Sequence, residues 1–354
     1  MDIALVNGIR PMPGSGDGIT EYAYNMYLQL SRKNRVKQVY SISRSKKNDI
    51  SGLLKINSEL SAKVRNAVHM SPDIVHIVNQ EVGFAAAVSK SSNKKTPVIT
   101  TIHDVSRFGK GLHRGLMQRA YNAMVQRSIL QAVIRSDFII FDSSQTMLEA
   151  RKLFDLGDHS VVNIGISKRY SIPITAKKRN TFTVGYIGSF AYHKNVIMLL
   201  RAAKAMGNSG TKFLIYGVGN EARTLSAYKQ NHSLSWVNLS GFAKESKKIA
   251  IYDNFDVLVF PSLYEGFGLP ILEAQARGLP VIVYKYGKIP KEVKRFCLEA
   301  KDEFEMAHLI GDIKLNGYNK ALRSRSMAYA RSFTWEKCTK ETMNAYTMAR
   351  EGIQ

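Results

Sequence analysis

The stretch Pro261-Ser262-Leu263-Tyr264-Glu265-Gly266-Phe267-Gly268-Leu269-Pro270-Ile271-Leu272-Glu273-Ala274 decides how this chain is read. It follows the apolar run Val257 to Phe260, so its loop begins at the carboxyl end of a buried strand, where open α/β sheets hold their ligands. Gly266 and Gly268 allow a backbone to approach a ligand closely. A helix opening around Pro270 aims unpaired N–H groups at an anion. Glu265 sits in the loop and Glu273 in the first turns of that helix, so the two carboxylates can meet different hydroxyl-bearing parts of one ligand. The plainer alternative is a strand, loop and helix with two solvated glutamates, and the coincidence of glycine, proline and both acids argues against it.

Outward from this stretch the same alternation recurs on both sides. Strands are expected at Thr183 to Ile187, Phe213 to Tyr216, Trp236 to Leu239, Val257 to Phe260 and Val281 to Tyr284, with helix-like segments between them. Earlier apolar runs fall at Ile3 to Val6, Val36 to Ile42, Ile74 to Val78, Val98 to Ile102, Phe138 to Phe141 and Val161 to Ile164. Short buried strands alternating with helices indicate parallel sheets covered on both faces. The pattern lapses between Ser167 and Asn180 into a polar, basic stretch with Pro173 and Lys177-Lys178-Arg179. The expected organisation is a first α/β domain over 1–170, a linker over 171–180 and a second α/β domain over 181–325. A terminal helical segment over 326–354, broken and restarted near Thr334, is expected to pack back on the first domain.

The Glu265 to Glu273 stretch, continued by Gly278-Leu279-Pro280-Val281, resembles the retaining glycosyltransferases of family 4. The resemblance implies a GT-B fold, an α/β architecture of two Rossmann-like domains whose parallel sheets face each other across a cleft that closes over the donor. It implies that Glu273 hydrogen-bonds the ribose of a nucleotide sugar and Glu265 contacts the transferred sugar. Backbone N–H groups at Phe267, Gly268 and Leu269, beside Gly266, line the sugar and diphosphate in this resemblance. Gly185-Tyr186-Ile187-Gly188-Ser189-Phe190-Ala191-Tyr192-His193-Lys194-Asn195 is similar to the family's diphosphate-binding turn, with Lys194 near a helix N-terminus. Ser189 stands where the family often has Arg, so one counter-charge is missing or comes from another residue such as His193. Phe213 to Glu221 resembles the turn beside the nucleobase, and its Gly217 and Gly219 serve either as a tight turn or as nucleotide contacts.

In the first half, Pro11 to Ile19 resembles the glycine loop facing the diphosphate, with Gly16 and Gly18 as the matching positions. His103 ends the Val98 to Ile102 strand, which is expected to bring its imidazole to the cleft, near the sugar or acceptor; a capping histidine without a chemical role is the rival reading. Lys194, Glu265 and His103 are the candidate catalytic residues, with charge offset on the departing diphosphate as the main device. No metal ligand set is expected and no cofactor beyond the nucleoside diphosphate sugar itself, which is a substrate.

The 51 Lys and Arg against 28 Asp and Glu, a formal charge of +23, point to anionic partners. Between Arg107 and Arg135 basic residues (Lys110, Arg114, Arg119, Arg127) interleave with Phe108, Leu112, Leu116, Met117 and Tyr121. Such a segment suits an anionic membrane surface or, alternatively, a basic helix whose apolar face packs inward. Aromatic and basic residues are not concentrated enough for a nucleic-acid stacking platform, so nucleic acid is the less favoured partner. Cys297 and Cys338 occur in no metal-binding or disulfide-framework spacing. The N-terminus lacks a basic region followed by a long apolar stretch, so the expected location is cytoplasmic, free or peripheral on a membrane. The expected activity is metal-independent hexosyl transfer to a hydroxyl of a glycan or lipid-linked acceptor. A nucleotide-sugar epimerase, a nucleic-acid-binding or DNA-glycosylating protein, and a donor-binding protein without turnover are the alternatives.

Overall fold

The computed structural model describes residues 1–11, 18–42, 50–108, 116–172 and 181–352. The chain divides into two compact units, Met1–Gly165 with Trp335–Gln354, and Ile166–Thr334.

The first unit is built on a six-stranded sheet. Its strands are β1 (Asp2–Ile9), β2 (Arg35–Ser41), β3 (Ile74–Ile77), β4 (Val98–Ile102), β5 (Phe138–Phe141) and β6 (His159–Val161). They run in the order β2-β1-β3-β4-β5-β6, every neighbour parallel. β3, β4 and β5 are buried along their whole length, which explains why they read as continuous apolar runs rather than alternating ones. The sixth strand lies earlier than the apolar run Val161 to Ile164. His159 to Val161 pairs at the sheet edge with Ile139 to Phe141, the Val162 N–H adds a 2.8 Å bond to the Phe141 carbonyl, and Val162 and Ile164 are buried.

The helix Trp335–Glu351 belongs to this unit. Trp335 meets Tyr22 with ring centroids 6.0 Å apart, Tyr346 bonds His76 and Cys338 lies 4.0 Å from Met26. The terminal helical segment is interrupted between Arg331 and Trp335, and the part in the first unit begins at Trp335 rather than at 326.

The second unit carries β7 (Phe182–Ile187), β8 (Thr211–Tyr216), β9 (Val237–Ser240), β10 (Val257–Phe260), β11 (Val281–Tyr284) and β12 (Leu298–Ala300). They form a parallel sheet in the order β12-β11-β10-β7-β8-β9. The chain leaves β7 toward β8 and β9, then returns to the other side through β10. That reversal makes the carboxyl ends of β7 and β10 the topological switch point, the crevice where doubly wound sheets bind ligands. β12 has no counterpart in the apolar runs, because a three-residue strand with a central exposed Glu299 leaves no periodic signal.

The unit boundary falls at Gly165 and Ile166, ahead of the expected 171–180 linker, most of which lies outside the described residues. Tyr170, in the stretch that reads as polar, is buried in the second unit, as is Ile166 just before it.

Candidate active site

The loops leaving β7 and β10 are pinned to each other. The Leu263 N–H donates to the His193 carbonyl at 2.8 Å, and the Asn195 side chain donates to the Pro261 carbonyl at 3.2 Å. On its other flank the β10 loop exchanges backbone bonds with Lys288: Lys288 N–H to Leu263 O at 2.8 Å, Glu265 N–H to Lys288 O at 3.0 Å. This bracing fixes Glu265, whose side chain is 7% exposed, and Lys194, 17% exposed, side by side. The Lys194 ammonium donates to both carboxylate oxygens of Glu265, at 2.7 and 2.8 Å, and lies 5.7 Å from the Phe260 ring centroid.

Gly268 caps the helix Leu269–Ala276 at φ +102, a left-handed backbone that glycine adopts without a side-chain clash. Pro270 stands in the first turn of that helix, where its missing N–H costs nothing. Phe267 is buried and its ring meets that of Phe333, with centroids 6.2 Å apart. Glu273, on the same helix, is buried and accepts a 2.7 Å bond from the Tyr252 hydroxyl. Burial first, then the charge on Glu273, holds the Tyr252 phenol well above its ordinary pKa, so it stays a donor.

Ser189 is exposed and His193 part-buried. The Ser189 carbonyl accepts the Tyr186 hydroxyl at 2.9 Å. Gly217 and Gly219 have a definite packing task. A Cβ on Gly217 would stand 2.2 Å from the Gly188 carbonyl oxygen, and one on Gly219 would meet the Phe190 main chain at 2.6 Å. The turn after β7 therefore lies against the turn after β8, with Phe190 N–H bonded to Val218 O at 2.8 Å.

In the first unit Gly16 lies outside the described residues, while Gly18 opens the helix Gly18–Leu30 with open space around it. The His103 imidazole is buried, with Nδ1 3.1 Å from Asp142 Oδ2 and Nε2 3.0 Å from the Val78 carbonyl. Burial alone would lower its pKa, but the hydrogen bond and charge of Asp142 outweigh that and raise it. A neighbour 39 positions along the chain closes off the ring, and no local pattern around His103 announces it. The basic helix is Leu116–Arg135. Tyr121, Val125 and Ile129 pack into a core cluster with Leu53, and Phe108 packs against it, so these apolar residues face inward. Lys110, Arg114 and Leu112 lie outside the described residues.

Residues 168–331 match the family model described as glycosyl transferases group 1. The O-antigen chain mannosyltransferase B of Escherichia coli is 25% identical over 269 residues, 71% of this chain and 70% of that protein. The glycogen synthase of Mycobacterium tuberculosis is 25% identical over 294 residues, 79% of this chain and 70% of the synthase. Among solved structures, sucrose-phosphate synthase from Thermosynechococcus elongatus superposes with a TM-score of 0.79 at 19% identity, covering 98% of each chain. HepE of Anabaena in complex with UDP-glucose gives 0.72 at 16% identity, covering 98% of this chain and 99% of that one. These matches favour a transferase over the epimerase and nucleic-acid alternatives. With two parallel α/β units of this topology and relatives of this kind, the protein is a glycosyltransferase of the GT-B fold.

Proposed function

We propose that the protein transfers a hexosyl group from a nucleoside diphosphate sugar to a hydroxyl of a glycan or lipid-linked acceptor, with retention at the anomeric carbon and without a metal. The observation that carries the reading is the buried Lys194–Glu265 pair at the switch point of the second sheet. A diphosphate arriving there competes with Glu265 for the Lys194 ammonium. That exchange frees the carboxylate to accept hydroxyls of the sugar, while Lys194 and the helix N-terminus after Gly268 offset the charge that develops on the leaving diphosphate. Glu273 takes the ribose hydroxyls, and the main chain at Gly266, Phe267, Gly268 and Leu269 borders the sugar and diphosphate. Ser189, His193 and the Gly217 to Gly219 turn border the nucleotide. Retention is assigned to attack on the face the leaving group departs from, which needs no covalent nucleophile. His103 in this reading holds the carboxyl end of β4 through Asp142 and Val78 rather than exchanging protons with the acceptor.

The test is a thermal-denaturation panel of nucleotide sugars. A ligand at about a hundred times its dissociation constant stabilises by about 2.7 kcal/mol, and Glu273→Ala should abolish the response to the active donor. Retention is read from the anomeric coupling of the product, and metal independence from turnover in chelator. A panel without any response removes the proposal. The charge of +23 supports docking on an anionic membrane surface at the inner face of a membrane; equal binding to neutral and anionic vesicles at low salt removes that part.

A further inference from the structure

Behind Glu273 lies a part-buried cluster assembled from residues outside the glycine and glutamate motifs, with Tyr170 and Tyr252 buried and Arg169, Glu245 and Lys248 partly exposed. Tyr252, fully buried, donates its hydroxyl to Glu273 Oε2. Lys248, one helical turn before it, sets its ammonium 2.8 Å from Glu245 Oε2 and 3.9 Å from Glu273 Oε1. Arg169 also pairs with Glu245, and the Tyr170 hydroxyl donates to Glu245 Oε1 at 3.3 Å. The Tyr170 and Tyr252 rings meet edge to face with centroids 5.8 Å apart. Two cations, Arg169 and Lys248, balance two carboxylates, Glu245 and Glu273, so the cluster satisfies its charges where desolvation would penalise an unpaired one.

The two oxygens of Glu273 are therefore unequal. Oε2 is engaged by Tyr252. Oε1 lies beyond hydrogen-bonding distance of Lys248, so the ammonium offsets its charge without occupying its lone pairs. Lys248 makes its close pair with Glu245, not with Glu273.

We infer that Tyr252 and Lys248 are positioning residues for Glu273, one fixing Oε2 and the other balancing the charge, so that Oε1 stays free as the acceptor for a vicinal diol on a nucleoside diphosphate. The inference rests on the proposed role of Glu273 toward ribose. Neither residue touches the diol. Tyr252 sets the rotamer of the carboxylate, and Lys248 balances its charge from 3.9 Å without taking up Oε1. The specificity that results is for the sugar hydroxyls of the nucleotide, whichever base it carries.

The probes are ADP, GDP, UDP and CDP, each against its 2′,3′-dideoxy counterpart, with binding to the full chain measured by titration calorimetry. The wild-type protein should prefer the ribose form of the nucleotide it binds. Tyr252→Phe keeps the buried ring and removes the hydroxyl. It should weaken the ribose form roughly tenfold while leaving the dideoxy form unchanged, a loss of the size expected for one well-made hydrogen bond to a charged acceptor. Lys248→Met should collapse the same preference and Lys248→Arg should restore it. Equal weakening of both forms in Tyr252→Phe and Lys248→Met marks a merely structural role and overturns the inference. A preference that survives in both variants overturns it too, with the ribose reading of Glu273 intact. A wild-type protein that shows no preference for ribose defeats the ribose reading itself, and the inference with it.

Discussion

Lys194 and Glu265 illustrate how far single residues can be read from sequence. Both were legible, because each sits just after an apolar strand and beside glycines that a plain loop does not need. Their contact was not, since 71 positions separate them and nothing local states that β7 and β10 are neighbours. The pair makes a testable demand. Lys194→Met leaves a buried carboxylate without its cation and Glu265→Gln leaves the cation without its carboxylate, each costing about 3–5 kcal/mol in urea unfolding. The double variant should recover most of that stability yet stay on the order of a hundredfold below wild type in turnover, because the charge proposed to meet the leaving group is gone. Recovery of turnover along with stability would show that the pair is structural. The same limit hid Tyr252, Lys248, Glu245 and Arg169, none of which carries a motif.

His76 adds a pH signature at this scale. Its ring bonds the Tyr346 hydroxyl at 2.7 Å and the Thr101 hydroxyl at 2.8 Å, and burial, helped by His103, pushes its pKa down to about 3. An unfolded histidine titrates near about 6.5, so across the interval below that value the unfolded chain binds the extra proton. The contribution to stability is therefore complete above about pH 6.5 and is lost as the pH falls, by up to about 1.4 kcal/mol per pH unit. Urea titrations of wild type and His76→Gln between about pH 6.5 and about pH 4 should diverge, with the wild type the steeper. Parallel curves would contradict the burial of a neutral imidazole.

At the scale of elements, strands with unbroken apolar runs were legible in position and direction, and the exceptions have physical reasons. β6 pairs at the sheet edge with part-buried residues, and the apolar run overlaps only its carboxyl end, so the strand begins two residues before the run does. β12 is too short to show a period. The turns are governed by glycines of two different kinds. Gly268 is needed for its backbone: a Cβ there would lie 3.4 Å from Val293, an ordinary contact, while φ is +102, so Gly268→Ala should cost about 1–2 kcal/mol through conformation alone. Gly217 is needed for its lack of a side chain, since the collision would be with the Gly188 carbonyl oxygen and main chain must move. Thermal unfolding should accordingly rank Gly217→Ala as the more destabilised of the two. The reverse order would contradict the close approach of the turns after β7 and β8.

At the scale of the whole molecule, the repeated alternation of strand and helix was enough to read two α/β units, because parallel sheets force both period and connection length on the chain. The boundary between the units was less legible. A polar, basic stretch reads as the place of a linker, yet Tyr170 within it is buried in the second unit, and composition averages over such anchors. The proposed function centres on the switch point of the second sheet, where Lys194, Glu265 and Gly268 come from two loops and Glu273 from the helix Leu269–Ala276. The most direct measurement is a crystal structure of the protein with a nucleoside diphosphate sugar selected by thermal denaturation. The expected result is a diphosphate oxygen within hydrogen-bonding distance of the Lys194 ammonium and a ribose hydroxyl on Glu273. A donor bound elsewhere, with the Lys194–Glu265 pair undisturbed, would contradict it.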